Sequence, residues 1–102
     1  LLSVAKASHL NTNKLLKRLI QIDGVECVFK QPFFNEVVIR LPVCVDSVLS
    51  IMHKGGIDAG FSLKSNYPEL GEALLFCVTE TKTELDLDAY VNLMQSAINE
   101  VK

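Results

Sequence analysis

Few side chains in this sequence are suited to chemistry, and each has to be weighed against the place its neighbours give it. His53-Lys54-Gly55-Gly56 sets a histidine and a lysine directly before two glycines. A lysine in such a run can condense with the aldehyde of pyridoxal phosphate, but only if it is desolvated and held beside phosphate-binding groups. The same residues also close an amphipathic segment. There, basic side chains complement the exposed carbonyls of a helix end and glycine terminates the turn. The helix-end reading is the simpler one. Arg40 differs, because a guanidinium on a strand can hold a carboxylate through two parallel bonds. It is the candidate for a carboxylate or partner contact, against the plainer reading of a surface ion pair.

The other chemical groups do not converge. His9 and His53 are remote from each other and neither has a cysteine nearby, so the three or four ligands of a zinc site are not assembled. Cys27, Cys44 and Cys77 are odd in number and dispersed, which points to reduced thiols in a cytosol rather than a disulfide framework. Each is expected to be a small buried hydrophobe, and Cys77, in an apolar run, an inert one. Glu84, Asp86 and Asp88 resemble a carboxylate cluster, but negative charge at a helix start explains them more cheaply. Lys14, Lys17 and Arg18 read as a solvated basic face. No catalytic, cofactor-binding or metal site is expected in this chain.

The elements that must position these groups follow from apolar periodicity. At 102 residues, with 49% hydrophobic and 22% charged residues, the chain is sized for one globular domain over residues 1–102. Its net charge of -2 offers no basic field for nucleic acid, and no apolar run approaches a membrane span. Residues 3–21 read as a helix with an imperfect stripe of Val4, Ala7, Leu15, Leu16, Leu19 and Ile20, weakened at Asn11-Thr12-Asn13. Strands are expected at 25–29 and 34–41, the second with Val37, Ile39 and Leu41 on one face and Glu36, Val38 and Arg40 on the other. A helix at 45–54 should end with Gly55 in the left-handed conformation. Strands at 57–63, weakened by Gly60, and 73–80 precede a last helix at 84–101. Thr81 and Glu84 have capping-box spacing. The order α-β-β-α-β-β-α fits an α+β domain, an antiparallel sheet with helices on one face. Val38 interrupts the polar side of its strand, which suggests partial cover from another domain.

The blocks Phe34-Asn35-Glu36-Val37-Val38, Gly56-Ile57 with Gly60, Tyr67-Pro68-Glu69-Leu70, Val78-Thr79-Glu80 and the Leu85-Asp86 helix start lie in a distinctive order over about two-thirds of the chain. In that order they resemble the C-terminal small domain of subunit 1 of the two-subunit glycine dehydrogenase (decarboxylating), the P-protein of the glycine cleavage system. Ala5-Lys6-Ala7-Ser8-His9-Leu10 resembles the helix leading into that domain.

The resemblance implies the small domain of the aspartate-aminotransferase-like, fold type I transferases. It also implies that the chain, which starts at Leu1 without an initiator methionine, is a C-terminal fragment of a longer one. For the parent it implies a cytoplasmic heterotetramer with subunit 2. There pyridoxal phosphate captures glycine, carbon dioxide leaves and the aminomethyl group passes to lipoyl H-protein. The fragment itself would bind no cofactor and serve structure and assembly. The resemblance also implies an alignment in which the leucine-arginine-isoleucine-serine pattern of many catalytic relatives of this fold falls on Phe76-Cys77-Val78-Thr79. Cys77 would thus replace a carboxylate-gripping arginine, which a thiol cannot imitate. The alternative reading is a small α+β regulatory module that binds an amino acid.

Overall fold

The computed structural model describes residues 2–31, 36–78 and 82–102. In chain order the elements are α1 (Leu2–Leu19), β1 (Glu26–Gln31), β2 (Glu36–Arg40), α2 (Val45–Lys54), β3 (Phe61–Ser62), β4 (Ala73–Phe76) and α3 (Glu84–Val101), with a 3₁₀ turn at Pro68–Leu70. The four strands form one sheet in the order β1-β2-β4-β3, antiparallel throughout. Element order and class are those expected from the apolar periods. Phe34, Asn35, Thr79, Glu80 and Thr81, which belonged to those expectations, lie outside the described residues.

Strand alternation divides the interior in two. Val37, Ile39 and Leu41 from the β2 side and Leu74 and Phe76 of β4 face the helices. They join Leu15, Leu16 and Leu19 of α1, Val45, Val48 and Met52 of α2, and Leu87, Tyr90, Met94, Ala97 and Ile98 of α3 in the main core. Each helix contributes one stripe at roughly 3.6-residue spacing, which is why three helices can share one sheet face. Ile20, expected in the α1 stripe, is 46% exposed because α1 ends at Leu19 and the chain turns away.

The opposite face carries a smaller cluster of Val38, Leu63 and Ala73, with Val28, Leu70 and Leu75 against it. Val38 is buried by this chain itself. The partial cover that the strand pattern suggested from another domain comes instead from within this chain. The 63–70 segment supplies it, held by Leu63 N–H donating to Ala73 O at 3.0 Å and Tyr67 N–H donating to Leu63 O at 2.8 Å.

Two glycines explain where elements stop. At the end of α2, Gly56 N–H donates to His53 O (3.0 Å) and Ile57 N–H to Met52 O (2.9 Å), the bond pair of a Schellman motif. Its left-handed residue is Gly56, at φ +85°; Gly55 has φ −80°. The sequence reading was thus one residue early. Ile57 is still engaged in that helix end, so the strand expected from 57 begins only at Phe61. Gly60 lies at φ +138°, and a Cβ there would stand 2.3 Å from the Leu75 carbonyl oxygen. Only a glycine lets the chain approach β4 this closely.

Candidate functional site

The expected candidates are placed apart. His53 and Lys54 are exposed at the C-terminal end of α2, where helix carbonyls concentrate negative potential. Arg40 projects from β2 directly across from Glu26 of β1. Its Nη1 donates to Glu26 Oε1 at 2.6 Å and its Nε to the Leu70 carbonyl at 2.9 Å. The guanidinium thus ties the sheet to the loop covering its outer face. No group of three metal-ligating side chains occurs among the described residues.

The cysteines depart from expectation. Cys27 and Cys77 are exposed and Cys44 is half-buried. For Cys77 the cause is alternation: Leu74 and Phe76 take the core side, and the next residue turns out. Cys27 lies on β1, an edge strand. Cys44 occupies the N-cap of α2. There the nearby Ser47 N–H and hydroxyl, then the Asp46 N–H and the Lys64 charge, draw its thiol below the ordinary cysteine value. The first N–H of α2 is satisfied by a residue that no local pattern would reveal. Glu72 Oε1 accepts from Val45 N–H at 2.9 Å, while Oε2 pairs with Lys64 Nζ at 3.1 Å. The Val45 bond is the main cause of the lowered Glu72 pKa.

The basic and acidic groups meet each other. Lys14 Nζ reaches Glu84 Oε1 at 2.9 Å, and Arg18 pairs with both Glu84 and Asp88, the latter at 2.9 Å. Lys14 and then Arg18 hold Glu84 below its usual range. Asp86 is a capping residue. Its carboxylate accepts from Thr83 N–H (2.9 Å), and Asp86 N–H donates to Thr83 Oγ1 (3.2 Å). The capping box is therefore Thr83–Asp86. Glu84 opens α3 as its first residue and cannot serve as the third, as the Thr81–Glu84 reading required. The polar run in α1 also has a purpose. Thr12 is buried and its Oγ1 accepts from Val78 N–H at 3.1 Å, while Asn11 Nδ2 donates to Lys82 O at 3.1 Å. These residues hold both ends of the β4–α3 connection.

Between the end of β4 and the start of α3 on one side and the 56–61 segment on the other lies a half-open cleft of about 760 Å³. Its floor includes Leu15, Phe76, Leu87 and Tyr90, and its rim includes Phe61, Cys77, Glu36, Asp58, Lys82 and Asp86. Tyr90 donates to the Ala59 carbonyl at 2.7 Å and its ring lies 6.2 Å from that of Phe76. Burial, then the charge of Asp58, pushes the phenol far above its ordinary value, so it stays protonated. The cleft has an apolar floor, a fixed phenol already committed to a carbonyl, and a largely acidic rim. Among the described residues its lining shows no nucleophile–base pair.

Comparison with models of protein families gives no match. Curated proteins do match. "Probable glycine dehydrogenase (decarboxylating) subunit 1" of Coxiella burnetii is 52% identical over 93 residues, 91% of this chain and 21% of that protein. The protein of the same name from Methylococcus capsulatus is 52% identical over 88 residues, 86% of this chain and 19% of its own length. The chain is homologous to a segment of glycine dehydrogenase (decarboxylating) subunit 1. A crystal structure of glycine decarboxylase (P-protein) of the glycine cleavage system, in inhibitor-bound form, superposes with a TM-score of 0.82 at 26% identity. That match covers 93% of this chain and 21% of that one. The α+β fold is therefore that of a segment of a P-protein, and the chain spans about one-fifth of the length of the relatives it matches.

Among the described residues, the candidate groups are not arranged to hold pyridoxal phosphate. Lys54 stands in solvent at the negative end of α2, whereas a phosphate calls for the N-terminal end of a helix. The exposed Cys77 supplies no guanidinium to a carboxylate. Arg40 is already engaged with Glu26 and Leu70.

Proposed function

We propose that the chain is the C-terminal small domain of a glycine dehydrogenase (decarboxylating) subunit 1, with a structural and assembly role. Its parent works in the cytoplasm in a heterotetramer with subunit 2. That complex decarboxylates glycine with pyridoxal phosphate and hands the aminomethyl group to lipoyl H-protein. The observation that carries this reading is the 52% identity along 91% of the chain against only 21% of the relative. The site geometry supports the division of labour, since Lys54, Arg40 and Cys77 are separately placed and none is set up to hold cofactor or substrate. We assign Arg40 to the tie it makes within the domain; a partner carboxylate would have to displace Glu26. The surface we assign to contact with the rest of the subunit is the cleft face, where Phe61 is 56% exposed.

The test is isotope exchange between bicarbonate and the carboxyl of glycine, with pyridoxal phosphate and H-protein supplied. The isolated 102-residue chain should give background exchange only, and the complete pair of subunits should restore it. Exchange by the isolated chain above background would overturn the structural assignment. Saturable calorimetric binding of glycine to the isolated chain would favour the amino-acid-binding regulatory module instead.

A further inference from the structure

The cleft face assigned to assembly has a chemical character of its own. Its floor is apolar, built by Leu15, Phe76, Leu87 and Tyr90, and Phe61 stands at its mouth with more than half of its surface in water. Around this apolar centre the charges are lopsided. Among the described residues that line it, Glu36, Asp58 and Asp86 face one ammonium, that of Lys82. Asp86 is occupied in the α3 capping box. Glu36 and Asp58 are exposed and have no ion-pair partner among the described residues. The negative field extends to the floor, since the Asp58 charge contributes to the upward displacement of the Tyr90 phenol. β3 beside the cleft is an edge strand of only two residues.

We propose that this cleft receives a segment of the parent subunit lying outside this chain, one that presents a lysine or arginine between apolar side chains. This rests on the assembly reading given above and specifies the chemistry of the contact. Phe61 and the cleft floor would cover the apolar side chains. Glu36 and Asp58 would face the cation, which removes the imbalance of charge around the rim. A neutral or acidic segment would satisfy the floor and leave like charges together, at a cost in affinity.

The experiment measures amide hydrogen exchange of residues 56–62 and 82–90 in the full-length subunit at 50 and 500 mM NaCl. The reference is the same segments in the isolated 102-residue chain. In the wild-type subunit both segments should be protected relative to the isolated chain, and high salt should erode part of that protection. Asp58→Lys, and independently Glu36→Lys, should each raise exchange about two- to fivefold at low salt, the range expected for a partly exposed charge pair. Phe61→Ala should raise exchange at both salt concentrations. If Phe61→Ala acts while both lysine variants and salt have no effect, the contact is apolar only and the cationic segment is refuted, with the assembly role intact. If the two segments exchange as fast in the full-length subunit as in the isolated chain, the cleft is not an internal contact; this proposal and the assignment of the cleft face fall, while the assembly role is judged by the isotope-exchange test.

Discussion

Replacing Thr12 by valine tests how α1 is joined to the rest of the domain. Thr12 is 2% exposed and Val78, which it contacts, is 8% exposed, so neither has water as a substitute partner. Oγ1 accepts from Val78 N–H at 3.1 Å; the return contact to Val78 O, at 3.4 Å, is long and weak. Valine keeps the β-branched shape, so χ1 preference and helix propensity hardly change. The Val78 N–H then loses its partner, a penalty of about 1–3 kcal/mol. Burying a methyl in place of the hydroxyl offsets roughly 0.8 kcal/mol of it. The net loss should be about 0.2–2 kcal/mol. Thr12→Ser, which retains the oxygen and loses the methyl, should cost about 1 kcal/mol by burial alone. Urea titrations at matched slope give the two losses, but their ranges overlap, so amide exchange at Val78 decides between the mechanisms. The serine variant should keep that amide protected and the valine variant should expose it before global unfolding. A valine variant as stable as wild type, with Val78 still protected, would refute the account of Thr12 as an anchor.

Other expectations follow from single contacts. Gly60→Ala combines an unfavourable φ of +138° with a Cβ 2.3 Å from the Leu75 carbonyl, and should destabilise the domain by about 2–4 kcal/mol in urea titration. A loss below about 0.5 kcal/mol would show that β3 is not held against β4 as described. Glu72 has its folded pKa lowered below the ordinary 4.5, so the unfolded chain binds more protons through that range. Its contribution is therefore complete above pH 4.5 and is lost as pH falls through the lower folded value. Glu72→Gln should reduce stability at pH 7 and flatten the acid limb of the stability–pH curve, while an unchanged limb would contradict its role at α2. Arg18→Ala removes two exposed ion pairs and should cost about 1 kcal/mol or less, shrinking further in 500 mM NaCl by thermal melts. A larger loss that ignores salt would mean that Arg18 acts by packing instead.

The family blocks were legible because they are local runs. Glu36-Val37-Val38 sits in β2 and Tyr67-Pro68-Glu69-Leu70 leads into the 3₁₀ turn, so their order along the chain survives as their order in the fold. Errors arose where a local rule had two neighbouring solutions. Thr81-x-x-Glu84 and Thr83-x-x-Asp86 both read as caps, and Gly55 and Gly56 both suit a helix end. Which one is used depends on the final turn geometry, and propensity does not separate threonines two positions apart or adjacent glycines. The cysteines were misjudged from residue type. Cys77 follows an apolar run, yet its exposure was set by the phase of β4, where the residue after a core-facing Phe76 must turn away.

What the sequence determined by itself is the list of elements and the face each one buries. An apolar stripe such as Leu87, Tyr90, Met94, Ala97 and Ile98 is a property of one segment, readable at helical spacing without knowledge of its partner. What only the tertiary structure decided is who meets whom. Glu72 finds Val45 across 27 positions, Thr12 finds Val78 across 66, and the basic face of α1 finds the acidic start of α3 across 66 to 70. The cleft beside Tyr90 likewise exists only once the 56–61 segment is laid against the end of β4. These pairings depend on strand order and on the loops that close between elements. A polar side chain has the same local appearance whether its partner is water or a backbone group brought from the far end of the chain.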